Sequence, residues 1–165
     1  MPTQQSQEQL TSLLRELCKL SKETEWVEFK HNNADPQMIG EYISALANSA
    51  ALLGKQSAYL VWGIADETHA LQGTDFKPST ARHKQQELEN WLLQKVAPKI
   101  HFQFFEFEFE VDEMPFVILE IIAASHTPVQ FDGVEYIRVG SYKKKLKDHS
   151  AKERELWRTF DRVPF

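Results

Sequence analysis

The seven residues from Ala58 to Ile64 read Ala-Tyr-Leu-Val-Trp-Gly-Ile and form a nearly continuous apolar run. This run limits the fold more than any other stretch, because such a strand is typical of the centre of a sheet that is covered on both faces. Gly54-Lys55-Gln56 before the run is predicted to end a helix, and Asp66 lies just beyond the run. We therefore expect a sheet that other elements cover from both sides.

Two helices are predicted ahead of this strand. The first occupies residues 7–21, where apolar residues recur along one stripe. The second follows Asp35, a good N-cap residue, and has Pro36 at its first helical position. Its small residues would let it lie close against a sheet. The stripe of the first helix consists of Leu10, Leu13, Leu14, Leu17 and Cys18.

Aromatic and acidic residues alternate in residues 101–111. This period of two predicts a strand with one apolar face and one solvated acidic face, and the acidic face would repel phosphate. Phe104-Phe105 breaks the phase that Phe102 sets, which predicts a bulge or a twist. Residues 116–122 return as the second strand of a hairpin. The apolar face carries Phe105, Phe107, Phe109 and Val111, and the acidic face carries Glu106, Glu108 and Glu110.

Helices and strands alternate through the rest of the chain. A third helix is predicted to begin at Ser79 or Thr80 and to end at Ala97-Pro98. A strand is predicted over residues 135–139. A last helix is predicted to open with a capping box and to bury two apolar residues. The capping box consists of Ser150 and Glu153, and the buried residues are Leu156 and Trp157.

These elements predict an α+β fold in which helices pack on a mixed or antiparallel sheet. The length of 165 residues, 42% of them hydrophobic, suits one globular unit. In this unit an N-terminal helix (residues 1–21) precedes the domain proper (residues 22–165). The single cysteine, Cys18, excludes disulfide scaffolds and multi-cysteine zinc sites. We expect a cytoplasmic protein without a membrane partner, because no signal peptide is visible and every apolar stretch is too short to cross a bilayer.

Charged and aromatic residues crowd the segment from Glu23 to Lys30. On a strand, Glu28 and Lys30 would share one face, and Val27 and Phe29 would point to the other. One interpretation is a salt-bridged edge of a sheet. The other is the start of a site that handles phosphate, in which Lys30 contacts the phosphate as a point charge.

A second charged segment lies near the C-terminal end of the sequence. The formal net charge of -5 argues against indiscriminate nucleic-acid binding, so a local cluster of basic residues is informative. Four lysines in residues 143–147 suit contact with a phosphate backbone, and Tyr142 at their start could stack on a base. The alternative is a solvated loop and helix start. The basic residues are Arg138, Lys143, Lys144, Lys145, Lys147, Lys152, Arg154 and Arg158.

Three segments, in their order and spacing, resemble the Schlafen AlbA_2 domain, also called the divergent AAA-4 domain, between residues 20 and 160. The resemblance implies a DNA- or RNA-binding domain, and many bacterial relatives with this domain are transcriptional regulators. Gly54-Lys55 lacks the glycine-rich loop of a P-loop, so we expect no ATP binding in this domain. The segments are Glu23 to Lys30, Ile43 to Ser49 with Tyr59 to Gly73, and Tyr136 to Ser141.

In Schlafen nucleases two glutamates and an aspartate form a metal-dependent site that cleaves tRNA and rRNA. By position, the resemblance places these acids on Glu23, Glu28 and Asp66. Such a trio would hold Mg²⁺ or Mn²⁺. The chain departs from the vertebrate enzymes, because it has one lobe and lacks their zinc-binding cysteines and histidines.

Three hypotheses follow for the function. The first is a nucleic-acid-binding domain of a bacterial transcriptional regulator, which contacts phosphate through residues 138–147 and Lys30. The second is a metal-dependent endoribonuclease that uses the acidic trio. The third is an interaction module in which the Phe-rich hairpin forms a homodimer interface.

Overall fold

A computed structural model describes residues 4–22, 24–109 and 113–162 of the chain. The helices are α1 (Gln4–Cys18), α2 (Pro36–Leu53), α3 (Leu88–Lys95) and α4 (Ser150–Asp161), with a short 3₁₀ helix at Leu146–Asp148. The strands are β1 (Val27–Lys30), β2 (Ser57–Trp62), β3 (Arg82–His83), β4 (Gln86–Glu87), β5 (Val96–Ala97), β6 (Phe102–Glu108), β7 (Pro115–Ile122), β8 (Gln130–Phe131), β9 (Val134–Val139) and β10 (Tyr142–Lys145). None of the helices in the described ranges is long and apolar enough to cross a membrane.

Two four-stranded sheets organise these elements. The first sheet has the order β1-β2-β7-β6, with β1 and β2 parallel and the other neighbours antiparallel. The second has the order β10-β9-β8-β5 and is antiparallel. The helix α2 connects the parallel strands β1 and β2 and also contacts β9. The predicted α+β fold is confirmed, with one mixed sheet and one antiparallel sheet.

The strand β2 lies inside the first sheet and is covered on both faces, as its apolar sequence predicts. Leu60 and Trp62 join the core between the sheet and α2, and Val61 joins the core beneath α1. All three side chains are fully buried. The leucine stripe of α1 covers the second face, where Leu14 is fully buried.

The hairpin of β6 and β7 forms as predicted, but of the two alternatives predicted at Phe104-Phe105 the bulge is wrong. Its pairing runs without interruption from Phe102 to Glu108. Phe102 and Phe104 pack on the α2 side of the sheet, whereas Phe105 and Phe107 pack on the α1 side. The adjacent phenylalanines therefore indicate a strand with aromatic residues on both faces, and these rings contribute to the chain's own core.

The start of the third helix differs from the prediction. The third helix begins at Leu88, not at Ser79 or Thr80, because β3 and β4 form a small hairpin before it. Lys84 and Gln85 at the turn of this hairpin have φ values of 50° and 68°, which a helix cannot contain.

The last helix begins at Ser150 as predicted, but without the predicted capping box. His149 occupies the N-cap position and makes no side-chain cap hydrogen bond. Leu156 and Phe160 form the buried stripe of α4, whereas Trp157, one position away from this stripe, is 44% exposed.

Three buried polar side chains of α2 bind the backbone of the second sheet. We call Ser44, Asn48 and Ser49 the polar clamp. Asn48 donates to the carbonyl oxygens of Val129 and Tyr136 at 3.0 and 2.9 Å and accepts from the N–H of Val129 at 2.8 Å. Ser44 Oγ donates to the Val129 carbonyl at 2.6 Å and accepts from the N–H of Tyr136 at 2.9 Å.

The polar clamp binds backbone groups of β9 that lie beyond its short pairing with β8. The strand β8 has two residues and pairs with Glu135 and Val134 of β9. Within the described ranges, no strand pairs with the following part of β9 on that side. Backbone groups buried there require partners, and α2 supplies them. Gly40 allows the close approach of α2, because a Cβ at this position would lie 2.1 Å from the ring of Phe131.

Candidate nucleic-acid interface

The lysines that follow Gly140 lie on a strand at the edge of the second sheet. Gly140, with φ of 59°, and Ser141 form a two-residue turn that reverses the chain from β9 into β10. The segment is therefore part of a hairpin rather than a solvated loop. Edge strands present one row of backbone groups and their side chains to the surroundings.

Four exposed side chains on and after β10 form what we call the lysine edge: Tyr142, Lys144, Lys145 and Lys147. None of these three lysines forms an ion pair with a carboxylate in the described part of the chain. Tyr142 and Lys144 project from the same face of the strand, since they are two residues apart. The ammonium of Lys144 lies 5.4 Å from the centre of the Tyr142 ring.

Lys143 projects from the opposite face of β10 and is already paired. Its Nζ lies 2.6 Å from Oε1 of Glu41 and 4.7 Å from the centre of the Tyr42 ring. Burial alone would raise the pKa of Glu41, but hydrogen bonds from Lys143 and Gln37 outweigh burial and lower this pKa. The pair holds Lys143 against α2, and 20% of its side chain is exposed.

Arg138 is buried and belongs to the scaffold. Its guanidinium donates to the carbonyl oxygens of Val27 at 3.1 Å, Thr24 at 3.4 Å and Gly140 at 3.2 Å. The residue is 0% exposed, so its side chain has no path to a phosphate in solution. This burial removes Arg138 from the exposed surface that the sequence had assigned to phosphate contact.

Glu28 and Lys30 project from β1 toward Tyr42 of α2, on the shared face that strand alternation predicts. Glu28 is 7% exposed, and its Oε2 accepts a hydrogen bond of 2.6 Å from the Tyr42 hydroxyl. Its Oε1 lies 3.1 Å from the N–H of Phe29. Lys30 Nζ lies 5.4 Å from the centre of the Tyr42 ring and forms no ion pair with Glu28.

Asp66 is exposed near the point where the parallel strands β1 and β2 end. It lines a pocket of about 380 Å³ together with Lys30 and His31. Burial is the largest cause that raises the pKa of the Tyr42 hydroxyl, followed by the negative charge of Glu28. Asp66 adds to this effect, so both carboxylates act on the same hydroxyl.

Of the three acids predicted to hold a metal ion, the structure describes Glu28 and Asp66. Glu23 lies outside the described residues. In the described ranges, no three His, Cys, Asp or Glu side chains form a group that could hold a metal ion. Glu28 is buried and both of its oxygens accept hydrogen bonds, whereas Asp66 is exposed.

Tyr42 and Glu41 are the two central residues that sequence reasoning missed. Tyr42 contacts Glu28, Lys30 and Lys143, which come from three separate parts of the sequence. The one available signal was a tyrosine within a helix of mostly small and aliphatic residues, and this pattern is equally typical of an ordinary core.

The fold and this surface define a class of protein: an α+β domain with one mixed sheet, one antiparallel sheet and a cationic edge strand. The family model described as "Schlafen, AlbA_2" matches residues 23–147, which is more than half of the chain. The chain therefore belongs to the Schlafen AlbA_2 family.

Among solved structures, the chain is similar to the DIP2311 protein from Corynebacterium diphtheriae, with 16% sequence identity and a TM-score of 0.49. The match covers 86% of this chain and 27% of the DIP2311 chain. No curated protein sequence matches the chain.

Proposed function

We propose that this domain binds nucleic acid by contacting the phosphate backbone through the lysine edge. The main observation behind this proposal is that Lys144, Lys145 and Lys147 are exposed and form no ion pair with a carboxylate of the described residues. They do so in a chain with a net charge of -5. Ammonium groups that are free of internal pairing release phosphate counterions when they bind. Such contacts fix position along the backbone and carry no sequence information by themselves.

Two further lysines extend this surface toward α2. Lys30 and Lys143 both lie close to the Tyr42 ring, so their ammonium groups belong to one neighbourhood. Lys143 contributes less than the lysine edge, because Glu41 already neutralises it. Family membership supports a role with nucleic acid, and we place the domain in a bacterial transcriptional regulator on the basis of the resemblance alone.

The triple change of Lys144, Lys145 and Lys147 to Glu is expected to abolish binding in a gel shift with single-stranded and duplex oligonucleotides. The milder change of the same lysines to Gln should make the negative slope of log K against log salt shallower by about 2 for single strands. Each contact between a lysine and a single strand contributes roughly 0.7 to the magnitude of this slope. The measurement is a salt titration by fluorescence anisotropy.

A matched control changes Lys55, Lys77 and Lys84 to Glu, which alters the net charge equally in other exposed parts of the chain. This variant should bind more weakly than the wild type by a small factor only. Retained binding in the lysine-edge variant, or equal losses in the two variants, would remove the proposal.

We infer a second candidate function, metal-dependent cleavage of RNA, from two carboxylates near the end of β1: Glu28 lies on this strand, and Asp66 lines the pocket that also contains Lys30. A bound divalent ion would supply charge neutralisation at the phosphodiester and an activated water. Glu28 and Asp66 would hold this ion, and Tyr42 would fix the Glu28 carboxylate through their hydrogen bond.

If the second candidate is correct, the wild-type chain cleaves tRNA in the presence of Mg²⁺ or Mn²⁺ and stops when EDTA is added. Glu28→Gln should lose cleavage but remain folded, since the amide oxygen still accepts from Tyr42, and the charge and the hydrogen bond from the Phe29 N–H are what the change removes. Glu67→Gln, at an exposed neighbour of Asp66, should cleave normally. Absence of cleavage by the wild type with either metal eliminates this function.

A further inference from the structure

Tyr142 is the most exposed large apolar side chain in the described part of the chain. It is 66% exposed, whereas Trp157 follows among the aromatic residues with 44%. The Tyr142 hydroxyl has no hydrogen-bond partner among the described residues. The fold therefore makes little use of this ring, although an aromatic side chain usually contributes more to a core than most residues do.

The surroundings of Tyr142 suit a ligand with both a flat face and a phosphate. The ring stands directly after the turn of Gly140 and Ser141, where a Cβ added at Gly140 would meet nothing within 4 Å. On the same face of β10, the Lys144 ammonium lies 5.4 Å from the ring centre. A nucleotide is a ligand in which a planar base and an anionic phosphate are joined at this scale.

Resting on the proposed function, we propose that Tyr142 stacks on an unpaired base and thereby makes the lysine edge selective for single-stranded nucleic acid. In a duplex, neighbouring bases cover both faces of each base, and exposing one face requires unstacking. In a single strand the face is available, and stacking on an aromatic ring tolerates any base. The lysines supply attraction to either form, while the ring contributes to the single-stranded form alone.

The test compares wild type, Tyr142→Ala and Tyr142→Phe by fluorescence anisotropy with labelled oligo(dT), oligo(U) and a hairpin-free duplex at one salt concentration. Tyr142→Ala should bind the single strands about tenfold more weakly and the duplex unchanged. Tyr142→Phe keeps the ring and should bind like the wild type. The salt slope of Tyr142→Ala should equal that of the wild type, because no cation has been removed.

Trp157→Ala is the matched control, since it removes the other large exposed aromatic side chain and should leave single-strand binding unchanged. Unchanged single-strand binding in Tyr142→Ala overturns this inference while the lysine-edge proposal stands, provided that the lysine variants still lose binding. Equal losses of single-strand and duplex binding in Tyr142→Ala also overturn this inference. A loss of self-association in Tyr142→Ala without a change in nucleic-acid binding overturns it as well. Failure of the lysine variants to lose binding overturns both proposals together.

Discussion

Replacing Asn48 with Ala is expected to lower the free energy of unfolding by about 3 to 5 kcal/mol. The Asn48 amide binds three backbone groups, the N–H and carbonyl of Val129 and the carbonyl of Tyr136, and the residue is 0% exposed. Without it, the Val129 N–H and the Tyr136 carbonyl lose their Asn48 partner at a cost of about 1 to 3 kcal/mol each. The Val129 carbonyl keeps its hydrogen bond from Ser44 Oγ. The measurement is urea unfolding followed by circular dichroism.

Asn90→Ala provides the control for this prediction. Asn90 is exposed, and its amide donates a hydrogen bond to the side chain of Gln86. Its removal should change the free energy of unfolding by at most about 0.5 kcal/mol. If Asn48→Ala were as stable as Asn90→Ala, the second sheet would not depend on the polar clamp.

Replacing Arg138 with Met is expected to lower the free energy of unfolding by about 3 kcal/mol, and by more if the three carbonyls it binds find no water. Met fills the volume of the aliphatic part of the side chain but cannot donate to Val27, Thr24 or Gly140. Hydrogen bonds from a charged donor contribute more than neutral ones. Thermal and urea unfolding monitored by tryptophan fluorescence would measure the loss.

Lys144→Met is the matched control for Arg138→Met, because it removes a positive charge from the neighbouring strand at an exposed position. It should leave stability within about 0.5 kcal/mol of the wild type and weaken nucleic-acid binding. The two variants should therefore separate stability from binding. An Arg138→Met variant with normal stability and lost binding would reverse the assignment and return Arg138 to the interface.

The features that sequence reasoning predicted correctly depend on residues close together in the chain. Asp35 caps α2 by accepting from the N–H of Met38 at 3.0 Å, and Gly54 ends this helix with φ of 73°. Propensity, capping and periodicity report on such neighbours directly.

The role of Arg138 could not be predicted, because two of its three guanidinium partners lie more than 100 positions away. Its guanidinium bonds are to Val27 and Thr24, at separations of 111 and 114 residues. In the sequence, Arg138 stands near a run of lysines and resembles another surface cation. The pairing of Lys143 with Glu41 is hidden for the same reason, since burial and partnership are decided by how α2 lies against β10.

The hydrogen bonds of Arg138 also fix the distance between the lysine edge and Glu28. Its bonds to Val27 and Gly140, together with the 2.7 Å hydrogen bond from the N–H of Gly140 to Glu25, join the β9–β10 hairpin to the start of β1. The lysine edge and the carboxylate of Glu28 are thus fixed to one frame. A single nucleic-acid strand that contacted both would therefore bind in a fixed register. If the domain cleaves RNA near Glu28, the cut would fall at a constant number of nucleotides from the base that stacks on Tyr142.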